Sequence, residues 1–163
     1  MLDFLTLEPE IFGLDISDLS LKIVKLERKK NGLFLASFGE AAVESGVIEV
    51  GRIKDEERLS EDIRRGLEKV KGKKIRTKYV VCSLPEEGSF FQVIQMPKME
   101  EAELKKAILF EAEKYIPFSI KEVYCDCQKI ERDYNGRDSV DVLMAAIPRK
   151  IVDSYVSSVE GAG

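Results

Sequence analysis

The chain has 163 residues, of which 44% are hydrophobic and 34% charged, a composition typical of one medium-sized or two small globular domains. Thirty acidic residues against 26 basic ones give a net charge of −4, which argues against a general attraction to nucleic acid. Because the sequence contains no histidine, Ser-His and Cys-His catalytic arrangements are excluded within this chain.

The first predicted elements are three strands of an antiparallel meander. Residues 11–16 and 19–26 have the apolar content of strands and are joined by the tight polar turn Ser17-Asp18. Asn31-Gly32 then predicts a reversal of the chain into a third strand at residues 33–38. Residues 44–54 are expected to be a loop or an irregular edge.

A helix is predicted over residues 55–70, where Leu59, Ile63, Leu67 and Val70 share one face. Acidic residues at its start and lysines at its end suit the helix dipole, and Gly72 is a natural residue to follow the helix. The continuous apolar run at residues 79–84 predicts a strand buried on both faces. Residues 85–88 form a turn-rich connector, which we take as a candidate domain boundary.

One cluster of basic residues lies around the end of this helix and in the loop after it, and it comprises Lys69, Lys71, Lys73, Lys74, Arg76 and Lys78. The cluster is consistent with contact to an anionic partner or to lipid head groups. We favour the alternative of a solvated helix end, where lysines complement the dipole. No aromatic residues are interleaved with these cations for base stacking, so nucleic acid is not an expected partner.

The second half of the chain predicts a strand, a helix and a hairpin, followed by a last helix. The helix, residues 100–115, carries one apolar stripe that needs a sheet face to cover, and Pro117 ends it. Asn135-Gly136 is a strong hairpin signal. The three strands are predicted at residues 90–97, 123–130 and 139–147, and Pro148 is suited to the first turn of the last helix.

For the three cysteines and for Glu111, the sequence favours a structural role over a functional one. Cys125 and Cys127 are two apart on a predicted strand, so both are expected on one face as small buried residues, and with Cys82 they predict neither a disulfide framework nor a metal site. Glu111 lies within the apolar stripe of the main helix, where it could contact a partner. We favour the alternative that it satisfies backbone donors or pairs with a lysine, because buried acids persist when they are paired.

The first hairpin resembles the first phosphate loop of actin-like ATPases. Asp15 ends one strand, Ser17 and Ser20 belong to the turn, and Lys22 begins the next strand. A tight turn of small residues can offer backbone N–H groups to phosphate oxygens, and a nearby acid can organise Mg²⁺ through water. Asp18 departs from this pattern, because it adds a negative charge where phosphate would approach.

A longer resemblance covers the central stretch and most of the chain. Met96-Pro97, the segment Phe110-Glu111-Ala112-Glu113-Lys114-Tyr115-Ile116-Pro117-Phe118, Asp126 and Ala145-Ala146-Ile147-Pro148 are similar to the PilM family of type IV pilus assembly proteins, which are actin-like and related to FtsA. The resemblance implies an α+β fold with a partial actin-like (ribonuclease H-like) subdomain 1A that contains the meander, at residues 1–87. It implies an inserted strand–helix–hairpin subdomain 1C with the final helix at residues 88–163.

The same resemblance implies a cytoplasmic docking component, peripheral to the inner membrane through its partner, that captures the N-terminal tail of a PilN-type membrane protein in a cleft between these subdomains. The implied partner-binding residues are Phe90, Phe91, Val93 and Met96. For Phe90, Phe91 and Met96 the favoured alternative is packing in the core, because such residues are commonly buried. No apolar run is long enough to span a membrane, and no secretory signal is recognised.

Two alternative functions follow from the resemblance. One is an actin-like ATPase, in which Asp15, Ser17, Ser20 and Lys22 would be half of a site for ATP and Mg²⁺. For these residues we favour the alternative of an ordinary surface turn, because Asp and Ser are common turn residues. The family's second half would supply the other phosphate loop and the adenine pocket, so we expect no cofactor in this chain alone. The other is a self-assembling scaffold like FtsA or the GspL-type domains of type II secretion, which would make the chain a homo-oligomer.

Overall fold

The computed structural model describes residues 9–117, 119–130 and 138–163, with the backbone alone for Leu109. The described residues form two compact units: one contains the residues up to Pro85 together with Ser154–Gly163, and the other is Glu86–Asp153. Sheets and helices are present in both, as the predicted α+β class requires. Residues 154–163, which the sequence analysis placed with the second domain, are grouped with the first unit.

The first unit is built on a five-stranded sheet with the order β6-β3-β2-β1-β7. The predicted meander is confirmed, because β1, β2 and β3 are consecutive antiparallel neighbours. β7 pairs with β1 in parallel. The strands are β1 (Ile11–Ile16), β2 (Ser20–Lys29), β3 (Gly32–Ala42), β6 (Lys71–Gly72) and β7 (Tyr79–Cys82).

Helix α1 (Glu56–Glu68) covers one face of this sheet. Its N-terminus is capped by Asp55, whose carboxylate accepts a hydrogen bond from the backbone N–H of Arg58 at 2.9 Å. Leu59 and Ile63 are fully buried on the apolar stripe that the sequence predicts. At Gly66 the helix approaches the sheet closely, since a Cβ atom there would lie 3.3 Å from the Cβ of Ala41 and 3.3 Å from the Cδ1 of Ile23.

Two expectations for the first unit are wrong. β7 is not buried on both faces: Tyr79 and Val81 are each 62% exposed, because β7 has only β1 as a neighbour and one of its faces is uncovered among the described residues. The stretch expected to be a loop contains a short hairpin of β4 (Ile48–Glu49) and β5 (Arg52–Ile53). Its turn holds Val50 at a positive φ of 51°.

The first unit is completed by the last part of helix α3 (Arg149–Gly161). The Tyr155 hydroxyl donates to the carbonyl oxygen of Gly51 at 3.2 Å. The Ser60 hydroxyl of α1 donates to the carbonyl oxygen of Ser158 at 2.8 Å. These buried contacts join residues that are about a hundred positions apart in the sequence, so the C-terminal segment is an integral part of this unit.

The second unit is a three-stranded antiparallel sheet covered by one helix, which confirms the predicted strand–helix–hairpin order. The sheet order is β8-β10-β9, and the elements are β8 (Phe90–Pro97), α2 (Glu101–Ala112), β9 (Val123–Lys129) and β10 (Ser139–Pro148). Its core contains Ile94, Ile108, Val142 and Met144. The predicted Asn135-Gly136 turn and Phe118 lie outside the described residues.

Candidate functional site

The first candidate site is the end of β1, where Asp15 lies. Its carboxylate accepts a hydrogen bond from the hydroxyl of Ser83 at 2.7 Å. The same hydroxyl accepts from the backbone N–H of Ile16 at 3.3 Å, and the N–H of Ser83 donates to the carbonyl of Leu14 at 3.0 Å. Sequence reasoning missed Ser83, although parallel pairing of β7 with β1 brings the C-terminal ends of both strands to one edge of the sheet.

The turn after β1 brings the other predicted phosphate-loop residues next to Asp15. The backbone N–H of Ser17 donates to the carbonyl of Ser20 at 2.9 Å, and their hydroxyl oxygens are 3.0 Å apart. Lys22 is exposed and stands opposite Asp15 in the register of β1 and β2. The structure therefore collects all four predicted residues around one exposed turn.

Asp18 has a structural role, which is to hold the turn between β4 and β5. Its carboxylate accepts hydrogen bonds from the backbone N–H groups of Val50, at 2.8 Å, and of Gly51, at 3.0 Å. These donors belong to the β4–β5 turn, so the carboxylate holds a turn that contains a non-glycine residue at positive φ. Its negative charge is partly balanced by the two N–H dipoles, which reduces its repulsion of an anion at the Ser17 turn.

Cys82, at the end of β7, reports on the electrostatics of this site. Burial, and to a smaller extent the negative charge of Asp15, raise the pKa of the Cys82 thiol to about 11. The thiol is therefore protonated at neutral pH and is a poor nucleophile.

We expect iodoacetamide to modify Cys82 at pH 8 on the order of 100-fold more slowly than a cysteine of ordinary pKa, because only the thiolate reacts. The rate should rise with pH well beyond 9, and Asp15→Asn should increase it by removing the smaller cause of the shift. Mass spectrometry of the Cys82 peptide after timed labelling across a pH series measures both effects. A rate that reaches its plateau near pH 9 in the folded protein contradicts the shift, and labelling of the denatured chain provides the reference.

The second candidate site is the surface of β8, where the predicted partner-binding residues lie on two faces. Phe91 and Val93 are 49% and 48% exposed on the outer face of the sheet. Met96 is buried in the core, and Phe90 packs against that core, because successive residues of a strand alternate between faces. Only Phe91 and Val93 of the four predicted residues are thus presented together on the outer face.

Leu143 of β10 extends this surface, and the sequence analysis missed it. It stands opposite Val93 in the sheet register and lies on the outer face, next to the buried Val142 and Met144. Leu143 is two residues after the polar Asp141 and therefore shares its face, so the period of two along a strand was a signal that could have found it. We call Phe91, Val93 and Leu143 the β8 surface. Among the described residues β8 has no strand on its other side, so one backbone edge is free there.

Other residues singled out from the sequence have structural roles. Glu111 is paired with Lys114 at 2.7 Å, in agreement with the prediction that a lysine satisfies it. Cys125 and Cys127 are partly buried and pack against the core of the second unit, where burial is the main cause that raises the pKa of both thiols. In the described ranges no cluster of three cysteine, aspartate or glutamate side chains could hold a metal ion. None of the helices described is long and apolar enough to cross a bilayer.

The arrangement of these elements matches known proteins. The sequence profile of the family described as "Type IV pilus assembly protein PilM" matches residues 13–163. This chain belongs to the PilM family. A solved PilM-PilN type IV pilus biogenesis complex is similar to it, with 28% sequence identity and a TM-score of 0.82 over 94% of this chain. The family assignment makes the chain part of a type IV pilus assembly component.

A more distant likeness concerns the fold alone. The cytoplasmic domain of EpsL, an inner-membrane component of the type II secretion system of Vibrio cholerae, is 13% identical, with a TM-score of 0.53 over 94% of this chain. The matches cover 45% of the PilM chain and 53% of the EpsL chain, so this chain spans about half the length of the solved structures that it matches.

Proposed function

We propose that this chain is a docking component of type IV pilus assembly, which binds the N-terminal tail of a PilN-type inner-membrane protein. The membership of the PilM family and the similarity to a solved PilM-PilN complex support the proposal. In this proposal the first unit corresponds to the actin-like subdomain 1A and the second to the inserted subdomain 1C. The chain then works at the inner face of the membrane, held there by its partner.

The β8 surface is the feature that best suits a peptide. An extended peptide can add to a free strand edge through its backbone, while apolar side chains fix its register. Phe91 and Val93 place two half-exposed apolar side chains along such an edge. A buried aromatic anchor commonly contributes most of the binding energy of a small interface, so Phe91 is the residue on which we expect affinity to depend.

The test is a fluorescence-anisotropy titration with a labelled peptide that has the sequence of the N-terminal tail of the PilN-type protein encoded beside this one. We expect saturable binding that a scrambled peptide does not reproduce. Phe91→Ala should raise the dissociation constant about tenfold or more, because truncating a central aromatic anchor typically costs over 1 kcal/mol of binding free energy.

The chain offers a matched control in Phe110 of α2, which is 76% exposed and belongs to the same unit. Phe110→Ala removes the same side chain from a different surface and should change the affinity by less than about twofold. Equal affinities of the Phe91→Ala variant and the unchanged protein would contradict the β8 surface as the binding site. Absence of binding by this chain and by a full-length PilM protein from the same source would contradict the docking function itself.

A second candidate function is binding of the phosphates of a nucleotide, and the engagement of Asp18 favours it. With its carboxylate held by the N–H groups of Val50 and Gly51, Asp18 is a smaller obstacle to an anion than the sequence indicates. Asp15, Ser17, Ser20 and Lys22 would then supply half of an ATP and Mg²⁺ site, with the other half from the remainder of an actin-like fold. Calorimetric titration of a full-length PilM protein with Mg-ATP tests this, and an unchanged affinity after Asp15→Ala would contradict it.

A further inference from the structure

The positive charge of the chain is concentrated in two segments. Residues 25–38 and 69–78 together hold ten lysines and arginines and a single acid, Glu27, a net charge of +9. The other 139 residues hold the remaining 16 basic and 29 acidic residues, a net charge of −13. A chain that is acidic as a whole therefore carries a strongly basic portion in its first unit.

The fold brings these two segments to one end of the five-stranded sheet. Lys73 bonds the β2–β3 hairpin twice, through its backbone N–H to the carbonyl of Ala36 at 2.9 Å and through its ammonium group to Glu27 at 2.6 Å. Four residues later the hydroxyl of Thr77 donates to the carbonyl of Glu10, just before β1. The connection between these two anchors therefore runs across the end of the sheet from which the β2–β3 hairpin projects.

The acids close to this end are already engaged. Glu27 pairs with Lys73, and Glu10 pairs with the buried Lys25 at 2.6 Å. In the hairpin (residues 25–38) and in the connection (residues 73–78), the exposed cations for which no ion pair is found among the described residues are Arg28, Lys29, Lys30, Lys74, Arg76 and Lys78. We call these six residues the basic end of the first unit. Because Glu27 and Glu10 are each held in an ion pair with another lysine, the field of these six cations extends into solvent.

The hairpin also presents apolar side chains beside these charges. Leu33 is 62% exposed, Leu35 is 58% exposed, and Phe34 is 41% exposed with the ammonium group of Lys29 over its ring at 4.9 Å. A projecting tip that carries both cations and apolar side chains is suited to a bilayer interface. There the cations contact anionic head groups, and the apolar side chains enter the boundary between head groups and acyl chains.

We propose that the basic end of the first unit binds directly to the surface of an anionic lipid bilayer, with Leu33 and Phe34 entering the interface. Leu33 and Leu35 favour a bilayer over a nucleic acid, because exposed aliphatic side chains can enter a bilayer interface but do not bind phosphates. This contact goes beyond the proposed function, in which the membrane is reached only through a partner. It uses other residues than the β8 surface and needs no peptide, so the two proposals fail independently.

The experiment is co-sedimentation of the chain with phosphatidylcholine vesicles that contain or lack phosphatidylglycerol. We expect partition onto the anionic vesicles alone, and its loss in high salt. Each cation near an anionic surface contributes roughly fivefold to the partition coefficient, so the double variant Lys74→Gln, Arg76→Gln should bind about 25-fold more weakly. Leu33→Ser should weaken binding several-fold and leave its salt dependence unchanged.

The matched control is Lys106→Gln with Lys150→Gln, which removes the same charge from two exposed positions of the second unit and should change the partition less than about twofold. Three outcomes overturn the proposal: no binding to the anionic vesicles, an equal loss in the two double variants, or no effect of Leu33→Ser together with equally tight binding of a single-stranded oligonucleotide. Circular dichroism of each variant verifies that it is folded.

Discussion

Replacement of Gly66 by leucine is expected to lower the free energy of unfolding of the first unit by about 3 kcal/mol, at the upper end of the cost of overpacking. Even a Cβ atom at this position lies only 3.3 Å from the Cβ of Ala41 and from the Cδ1 of Ile23. The remaining atoms of leucine have no space, so α1 must move away from β2 and β3. That movement exposes Leu59 and Ile63, which are buried beneath the helix.

Gly66→Ala is the matched control for this prediction. Alanine improves helix propensity by about 1 kcal/mol, and the close contact with the fixed Cβ of Ala41 offsets the gain, so the stability should change by less than about 1 kcal/mol. Native-state hydrogen exchange of the amides in β1, β2 and α1 measures the effect within the first unit alone. Equal protection in the alanine and leucine variants would show that α1 does not pack as closely as described.

Truncation of Met144 to alanine should destabilise the second unit by about 3 kcal/mol, within the range for large-to-small changes in a core. Met144 is fully buried on β10, the middle strand of its sheet, in a core that also contains Ile108 of α2 and Val142. A cavity at this place removes contacts on all sides. Hydrogen exchange of β8 and β10 amides reports the loss.

A variant of the neighbouring residue, Leu143, distinguishes the buried face of β10 from its exposed face. Leu143 lies on the opposite face and is 36% exposed, so Leu143→Ala should cost only about 1 kcal/mol of stability. The same change should weaken peptide binding, because Leu143 belongs to the β8 surface. Similar stability losses at positions 143 and 144 would mean that the faces of β10 are assigned incorrectly.

The local elements were predictable because their signals lie within short stretches of sequence. Val140 and Val142 flank the polar Asp141, and this alternation predicts both a strand and its buried face. Asp55 followed by acidic residues predicts the start of α1, and the structure places its carboxylate on the N–H of Arg58. Signals of this kind depend on backbone geometry and not on distant parts of the chain.

Contacts between distant residues were not predictable from patterns. The Ser83 hydroxyl meets Asp15 across 68 positions, and the Val50 N–H meets Asp18 across 32, so only the folded topology connects them. The exposure of Tyr79 and Val81 has the same origin, because burial of a strand depends on which segments cover it. The β4–β5 hairpin has strands of two residues, which are too short to show alternation.

The same distinction between local signals and long-range contacts applies to the candidate sites. The sequence placed Phe91 and Val93 on one strand, but it could not tell which face a partner would find, and it therefore grouped them with Phe90 and Met96. For the basic cluster it favoured a solvated helix end over contact with an anionic partner or lipid. The bonds of Lys73 to Ala36 and Glu27 bring the cluster next to the hairpin residues Arg28 and Lys30, and the sequence does not reveal these bonds.

The division of the first unit between residues up to Pro85 and Ser154–Gly163 determines the order in which the protein can fold during synthesis. The ribosome completes the continuous segment Glu86–Asp153 before it makes the residues that the first unit still requires. Until Tyr155 and Ser158 emerge, the nascent chain leaves the carbonyl of Gly51 and the hydroxyl of Ser60 without these partners. We therefore expect the second unit to acquire its native structure first, and chaperones to engage the N-terminal segment until translation reaches α3.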